Sequence, residues 1–297
     1  MRVAVTGATG FTGQRVVREL IARDLEVVAL VRPKDGLEAA RRPGLDPRVR
    51  VVEGDLGDPA RLRVLLDGGD AFVHVASLGF GHAPAVVAAV DESGVRRSVF
   101  FSSTSLFTRL QAPSKATRGA AEELVRSARS DWTVLRPTMI YGDAGDRNLS
   151  RLIRFLARSP VVPLPGGGRA LIQPVHVDDL GQAAVDALLS DAARRREYDL
   201  PGAQASPLRE VVEHIARLLA RRPWIFHVPL APAALAAALW SMTGLPPRIR
   251  REQVLRLCED KAFSFDAARR DFGYRPRGWR EGLAAEVDLL RHEGLIP

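Results

Sequence analysis

A glycine-rich turn between a predicted strand and a predicted helix constrains the fold of this chain more than any other feature. Its sequence is Thr6-Gly7-Ala8-Thr9-Gly10-Phe11-Thr12-Gly13. An apolar strand precedes it, and apolar residues at helical spacing follow it from Gln14 to Arg23. In such a turn Gly7 allows the sharp bend, Gly10 lets the backbone approach a pyrophosphate, and Gly13 lets the helix pack on the strand.

The start of the helix completes the predicted site. Its unpaired N–H groups carry the positive end of the helix dipole and face the phosphate charge. The turn therefore predicts a dinucleotide site in which Thr9, Phe11 and Thr12 also contact the cofactor. The spacing Gly-x-x-Gly-x-x-Gly differs from the usual G-x-G-x-x-G fingerprint, but its strand–turn–helix context is complete.

Strands and helices alternate along the first half of the chain. Apolar runs predict strands at 2–6, 26–31, 49–53, 71–76, 99–102 and 132–136, and helical patterns fall between them, as at Pro59–Leu66 and Pro84–Ser93. This alternation predicts an α/β fold with a parallel, doubly wound sheet of the Rossmann type. Ligands bind such sheets at the carboxyl ends of the strands.

The end of the second predicted strand bears on the choice of cofactor. An acid about 20 residues beyond the glycines would bind the 2′-hydroxyl of the adenosine ribose. Arg32 stands there instead. Because a guanidinium pairs a 2′-phosphate through two hydrogen bonds, Arg32 favours NADP(H), although NAD(H) stays open if Arg32 stacks on adenine or faces solvent.

Segments throughout the chain resemble the extended and atypical short-chain dehydrogenases/reductases, which include epimerase/dehydratase-like members. The resemblance is carried by the glycine spacing, Asp55, Ser102–Ser105, Arg136–Gly142 and Gln173–Leu180. The chain is also similar to the nucleotide-binding accessory subunit of respiratory complex I. The resemblance implies a smaller, mostly helical substrate lobe after the Rossmann core, and it leaves a homodimer through helices flanking the active site open.

The resemblance implies contacts to each part of the cofactor. They are Asp55 and Leu56 at the adenine, Ala76 and Ser77 at the ribose, and Pro137 and Thr138 on the nicotinamide side.

An active member of this superfamily would carry Tyr-x-x-x-Lys at the start of the next helix. The tyrosine acts as acid or base, and the lysine lowers its pKa and holds the nicotinamide ribose. Two registers are open here. Either Lys115 is the lysine and Gln111 stands at the tyrosine position, or Arg118 replaces the lysine and Ser114 the tyrosine, which the position of Glu122 favours. Neither register supplies the tyrosine, because the only tyrosines are Tyr141, Tyr198 and Tyr274.

The remaining catalytic candidates are hydroxyl groups. Ser103 and Thr104 follow the fifth predicted strand and are suited to bind a carbonyl oxygen, as is Ser114 in the second register. A serine hydroxyl has too high a pKa to act alone as the acid. The sequence therefore leaves open a substrate that needs no protein acid, or an acid supplied by the second half of the chain.

Polar residues of the second half have both functional and structural interpretations. Asn148, Arg147 and Arg169 are candidates to hold a substrate phosphate, as in sugar-nucleotide members, but Asn148 or Ser150 is equally suited to cap a helix that begins there.

A later segment carries acidic residues beside a histidine. Asp178 and Asp179 are predicted to cap a helix at 180–189 rather than to form a catalytic pair. His176 with Asp178 lacks a third ligand, so no metal site is predicted.

Composition excludes several classes of protein. The net charge is +8, but nearly all of the positive charge is scattered arginine without interleaved aromatic residues, so nucleic acid is not an expected partner. The single cysteine, Cys258, excludes an internal disulfide and is typical of a cytoplasmic protein. The first strand begins at Arg2, so no signal peptide is expected.

The chain is predicted to divide into a Rossmann core at 1–145 and a substrate lobe at 146–297, with a strand and helix near 172–190 returning to the core. Residues 232–243 are nearly all apolar and include Trp240. They are far fewer than the roughly 20 residues that span a bilayer, so they predict a buried helix closing the substrate cavity, with a membrane contact as the alternative.

Three functions remain open from the sequence. The first is an NADP(H)-binding protein whose cofactor serves structure, sensing or a non-standard reaction. The second is an active reductase or epimerase on a small or nucleotide-linked substrate. The third is a membrane-peripheral accessory protein. The sequence does not name the small-molecule substrate.

Overall fold

The computed structural model describes residues 1–32, 45–110, 113–235 and 251–297. The predictions for Gln111, for Trp240 and for the rest of 236–243 lie outside the described residues. The strands are Arg2–Thr6 (β1), Glu26–Val31 (β2), Arg50–Glu53 (β3), Ala71–His74 (β4), Arg97–Phe101 (β5), Asp131–Pro137 (β6), Ile140–Tyr141 (β7), Val161–Pro165 (β8), Leu171–Ile172 (β9), Val175–His176 (β10), Arg196–Leu200 (β11), Ser206–Pro207 (β12) and Trp224–Val228 (β13). The helices are Phe11–Ala22 (α1), Pro59–Leu66 (α2), Ala83–Ser93 (α3), Pro113–Ser127 (α4), Leu149–Arg158 (α5), Val177–Leu189 (α6), Leu208–Leu218 (α7), Arg251–Arg256 (α8), Asp266–Phe272 (α9) and Trp279–His292 (α10). Residues 230–235 are also helical.

The centre of the protein is a seven-stranded sheet in the order β11-β6-β5-β4-β1-β2-β3. Every neighbouring pair in it is parallel. The order reverses beside β1, which creates the crevice where such sheets bind ligands. The predicted doubly wound Rossmann sheet is confirmed, and β11 adds a strand to it from the second half of the chain.

Helices cover both faces of the sheet, because its strands are apolar on both sides. On one face α1, α6 and α9 pack on a cluster that includes Val5, Leu20 and Leu180. On the other, α2, α3 and α4 pack on a cluster that includes Leu65 and Phe100. The carboxyl ends of β1, β2, β4, β5 and β6 therefore meet at one open edge.

A smaller lobe stands beyond this edge. Helices α5, α7 and α10 enclose a third apolar cluster around Tyr141, Ile153 and Trp279. The short parallel pair of β8 and β13 and the antiparallel pair of β9 and β12 flank it. The division of the chain at residue 145 stays a prediction.

Candidate cofactor and substrate site

The glycine turn holds the start of α1 against the end of β1. Gly7 has a φ of +73°, and a Cβ on it would lie 2.6 Å from the backbone N of Ala76. A Cβ on Gly13 would lie 1.9 Å from the Gly7 carbonyl oxygen, so no larger residue fits there without moving the backbone. The Gly10 N–H donates to that same oxygen at 3.0 Å. The turn is therefore shaped by close backbone contacts that only glycine allows.

The helix begins at Phe11, three residues earlier than the periodicity predicts, so Phe11, Thr12 and Gly13 form its first turn. No acidic residue lies in that turn, and Gly10, which carries no side chain, stands exposed at the N-cap. The Thr9 carbonyl accepts a bond of 3.1 Å from Gln14 Nε2. The positive end of α1 is thus open to an anion.

The predicted adenosine contacts lie at the ends of β2 and β3. Arg32 is exposed and directly follows β2. Asp55 Oδ1 accepts the Gly57 N–H at 3.0 Å, which folds the loop after β3 back on itself. Leu56 packs against the apolar cluster on the face of α2 and α3.

The end of β4 lies beside the glycine turn. Ser77 accepts the Gly79 N–H at 3.2 Å and caps a 3₁₀ turn at Leu78–Phe80. Within β4, His74 is 1% exposed and shares a hydrogen bond of 2.7 Å with Thr6. Burial lowers the pKa of His74 to about 3, so the ring is a neutral core group, as the sequence indicates.

The loop after β5 lies between β6 and α4 and carries the candidate hydroxyls. Ser103 caps a 3₁₀ turn at Thr104–Phe107, and Thr104 Oγ1 donates to the Pro137 carbonyl at 3.2 Å. Arg118 Nη1 donates to Ser105 Oγ at 3.1 Å. Ser114 is half-buried one turn before Arg118.

Lys115 and Arg118, the two candidates for the family lysine, contact different parts of the protein. The Arg118 guanidinium lies between the ends of β4 and β5, against Gly79. A Cβ added to Gly79 would be 3.2 Å from it. Lys115 Nζ instead donates to the Thr108 carbonyl at 2.6 Å. One turn after Arg118 on the same helix face, the buried Glu122 accepts two bonds from Arg136, at 3.0 and 2.6 Å, and so ties α4 to β6.

The predicted nicotinamide side is a buried seam between β6 and the second lobe. Pro137 is buried, and Thr138 Oγ1 donates to the Gln173 carbonyl. Gln173 Nε2 in turn donates to the Gly202 carbonyl at 2.8 Å. These hydrogen bonds hold the backbone after β6 against the segments around Gln173 and Gly202.

Of the two predicted helix caps, the position is correct at α5 and wrong at α6. Asn148 stands at the N-cap of α5 but its side chain makes no capping bond, and Asp146 instead accepts the N–H groups of Asn148 and Ser150 at 2.6 and 2.8 Å. Asp146 lies three residues before the first residue of the helix, and its carboxylate accepts N–H groups that follow it in the chain. A search for a capping residue directly at the helix boundary therefore does not find it. Arg147 and Arg169 are exposed.

At α6 the cap is His176, whose Nδ1 accepts the Asp178 N–H at 3.2 Å. Asp178 and Asp179 lie in the first turn, not at the cap. Asp178 pairs with Arg15 at 2.9 Å, and Asp179 with Arg277 at 2.8 Å. They hold elements together and do not form a catalytic carboxylate pair. Burial lowers the pKa of His176 and keeps the ring neutral.

The sequence misses a contact between the C-terminal half and the loop after β5. Glu259 accepts the Thr108 hydroxyl at 2.6 Å and the Arg109 N–H at 2.8 Å. The rings of Phe107 and Phe263 lie 5.7 Å apart. The segment from α8 to residue 263 therefore packs on the loop that carries the hydroxyl candidates. No local sequence motif predicts this contact.

An apolar cavity of about 510 Å³ opens beside this segment. It lies between residues 230–235 and α8, and its lining is Leu230, Ala231, Ala234, Leu235, Arg251 and Leu255. Among the described helices, none is long and apolar enough to cross a membrane. Within the same ranges no group of three or more His, Cys, Asp or Glu residues is arranged to hold a metal ion.

The fold and this edge of the sheet define a dinucleotide-binding protein of the Rossmann class, and comparisons with known proteins give the family. A family model described as NAD(P)H-binding matches residues 7–154. A ceramide reductase from Caulobacter vibrioides is 31% identical over 99% of this chain and 96% of that protein. The chain belongs to the atypical and extended short-chain dehydrogenase/reductase superfamily.

Other relatives agree with this assignment. A 2-alkyl-3-oxoalkanoate reductase from Stenotrophomonas maltophilia is 28% identical over 95% of this chain and 97% of that protein. The 40 kDa subunit of NADH-ubiquinone oxidoreductase from Neurospora crassa is 25% identical over 92% of this chain and 75% of that protein, so the resemblance to a complex I subunit is confirmed. The solved structure of MoeE5 in complex with UDP-glucuronic acid and NAD is 26% identical, with a TM-score of 0.75, over 99% of this chain and 100% of that one. A nicotinamide dinucleotide is therefore the cofactor class.

Proposed function

We propose that the protein is an NADP(H)-dependent reductase that acts on a carbonyl group of a hydrophobic small molecule. Bound NADPH would supply the hydride that reduces the carbonyl carbon, and a proton from solvent on the carbonyl oxygen would complete the alcohol. The observation that carries the proposal is the convergence of the glycine turn, Thr104 and Arg118 at one edge of the sheet. Two relatives matched over nearly their whole length are named a ceramide reductase and a 2-alkyl-3-oxoalkanoate reductase. The apolar lining of the cavity beside α8 suits a substrate with an apolar part.

The preference for NADP(H) rests on Arg32. Its exposed position directly after β2 suits a guanidinium that pairs the 2′-phosphate. The cofactor would be held by the predicted contacts: the turn glycines with Thr9, Phe11 and Thr12, Asp55 and Leu56 at the adenine, Ala76 and Ser77 at the ribose, and Pro137 and Thr138 beside the nicotinamide.

We infer that Arg118 takes the place of the family lysine and Ser114 that of the tyrosine. The support is that Arg118, not Lys115, reaches the space between the ends of β4 and β5. Thr104 and Ser103 then orient the carbonyl oxygen. A hydroxyl beside a guanidinium donates a hydrogen bond to the oxygen as its negative charge develops, and the proton comes from solvent.

The first test is a fluorescence titration with NADPH and NADH of the wild type, Arg32→Ala and the exposed control Arg221→Ala. We expect NADPH to bind more tightly than NADH, and Arg32→Ala to lose about tenfold in NADPH affinity with NADH unchanged. Equal affinities in the wild type would overturn the NADP(H) preference. Binding of neither nucleotide would overturn the reductase proposal.

A second candidate function is a protein that holds the cofactor without turning it over. The absence of the motif tyrosine and the similarity to a complex I subunit favour it. The two functions are separated by measuring NADPH oxidation with a panel of long-chain ketones. A reductase consumes NADPH when a ketone is present, whereas a protein that only holds the cofactor consumes none. A membrane-peripheral role through 232–243 stays a prediction, tested by binding of Trp240→Asp and wild type to liposomes.

A further inference from the structure

The short parallel sheet of β8 and β13 has two different sides. On one side Val162, Leu164 and Ile225 pack on the third apolar cluster. Because side chains alternate along a strand, the residues between them lie on the other side, away from that cluster. They are paired in register across the two strands and are called the apolar face below: Val161 with Trp224, Pro163 with Phe226, and Pro165 with Val228.

The apolar face is open to solvent. Trp224 is 69% exposed and Val161 is 41% exposed. The rings of Trp224 and Phe226 stack, with their centroids 5.1 Å apart and their planes 28° apart. An exposed apolar surface of this kind marks a contact with another molecule or with a membrane.

Two prolines in this face argue against pairing with a further strand. Pro163 and Pro165 have no backbone N–H, so β8 offers few donors to another strand. Proline on a short strand is one of the means by which proteins prevent strand-to-strand association. The side chains of the face, rather than its backbone, are therefore the contact surface.

The two segments that carry the apolar face contain positive charge and no negative charge. Residues 147–177, which include β8, contain five arginines and no Asp or Glu. Residues 214–251, which include β13, contain six arginines and no Asp or Glu. All 35 acidic residues of the chain lie elsewhere, so these segments are far more basic than the rest of the protein.

Exposed arginines lie at the end of the face that carries Trp224. Arg158 comes shortly before β8, and Arg221 and Arg222 come shortly before β13. Because the two strands are parallel and in register, the residues that precede them lie at the same end. Tryptophan is enriched where proteins meet the headgroup region of a bilayer, and arginine near such a surface is attracted to anionic lipids.

We infer that the apolar face docks the protein on the surface of a membrane that contains anionic lipids. Four of the six side chains are valine or proline and offer no aromatic ring on which bases could stack, so lipid fits the face better than single-stranded nucleic acid. The docked protein would hold its apolar cavity near the membrane, since the lining of that cavity begins at Leu230, two residues after β13. The inference goes beyond the proposed reductase activity and does not depend on it.

Co-sedimentation of the full chain with lipid vesicles measures the docking. Vesicles of phosphatidylcholine are compared with vesicles in which about one third of the lipid is phosphatidylglycerol. We expect the wild type to bind the anionic vesicles about tenfold more tightly, and about 0.5 M salt to remove most of this difference. Equal binding to both kinds of vesicle, or binding to neither, overturns the inference.

An aromatic variant and its control locate the apolar contact. Trp224→Asp should weaken binding to the anionic vesicles by about tenfold or more, because it places a negative charge at the lipid surface. Phe80→Asp, which changes an aromatic residue that is also 69% exposed, should bind as the wild type does. Since Trp224 is mostly exposed, we expect Trp224→Asp to unfold at nearly the wild-type urea concentration. Unchanged binding by Trp224→Asp, or an equal loss in Phe80→Asp, overturns the inference.

A pair of double variants locates the charge. Arg221→Gln combined with Arg222→Gln should weaken binding to the anionic vesicles about tenfold. Arg194→Gln combined with Arg195→Gln removes an exposed pair far along the chain and should have little effect. Equal effects of the two double variants overturn the inference.

Two other results would assign the contact elsewhere. If a second copy of this chain covers the face, sedimentation equilibrium shows a wild-type dimer that Trp224→Asp dissociates, and the vesicles bind neither protein. If Trp240→Asp abolishes vesicle binding and Trp224→Asp does not, the contact lies at 232–243. Either result overturns the inference.

Discussion

At the scale of single residues, the glycines of the turn serve different physical ends. Gly13 is enclosed by the backbone of the turn, whereas Gly10 is exposed and its added Cβ would meet only the Gly7 carbonyl oxygen, at 3.2 Å. One position is restricted by the protein itself. In the proposed complex the other would be restricted mainly by a cofactor that comes close to the backbone.

Alanine substitutions should separate these roles. Gly13→Ala forces the turn apart, so we expect a loss of about 1–3 kcal/mol in the free energy of unfolding together with loss of NADPH binding. Gly10→Ala should unfold at nearly the wild-type denaturant concentration yet bind NADPH at least tenfold more weakly. Urea unfolding and fluorescence titration measure the two quantities. Normal NADPH binding by Gly10→Ala would contradict a pyrophosphate at this position.

At the scale of elements, α1 and α6 are held close by a glycine. A Cβ on Gly181 of α6 would lie 2.9 Å from the carbonyl group of Arg15 on α1. The Arg15 side chain then bridges Asp178 and Asp143 across the same contact. Since the predicted phosphate contact is at the N-terminus of α1, this helix pair would support the proposed cofactor site from behind.

A matched pair of glycine substitutions tests this packing. Gly181→Ala should destabilise the protein by about 1–3 kcal/mol, because the helices must separate. Gly119→Ala, inside α4, meets only Leu106 at 3.8 Å, so it should stabilise by about 0.5–1 kcal/mol through helix propensity. Thermal and urea unfolding check both signs. Equal effects of the two substitutions would refute the packing argument.

The elements also show what sequence can predict. Strand β2 and helix α2 have the predicted boundaries, because apolar periodicity is a local property of the chain. The cap residue of α6 and the side chain that makes the capping bonds of α5 were predicted wrongly, because a cap depends on the direction from which the chain enters the helix. Histidine is also outside the usual set of capping residues, so His176 gave no signal.

At the scale of the whole molecule, the candidate site combines segments that are distant in sequence. The glycine turn, Asp55 and the hydroxyls after β5 were predictable, because strand ends of a parallel sheet share one edge. The contact of Glu259 with Thr108 was not, because it depends on how the second lobe folds back. The cofactor half of the site was therefore more accessible to sequence reasoning than the substrate half.

The second lobe also buries a carboxylate where it meets the segment after β7. Glu286 of α10 is 1% exposed, and neither oxygen has a hydrogen-bond partner in the described ranges. Burial, and then the charges of Asp146 and Asp143, raise its pKa to about 8, while Arg154 opposes them. The nearby backbone N–H of Gly142 also opposes them.

This group makes the free energy of unfolding depend on pH. The folded pKa lies above the ordinary value of 4.5, so between those values the folded state holds a proton that the unfolded state has released. Stability from Glu286 is therefore full below pH 4.5 and is lost as pH rises toward 8, by about 3 kcal/mol between pH 5 and pH 8. Urea unfolding at both pH values should show this slope in the wild type and in the partly exposed control Glu213→Gln. Glu286→Gln, which cannot ionise, should flatten it, and a slope unchanged in Glu286→Gln would mean that the buried carboxylate is not the group that titrates.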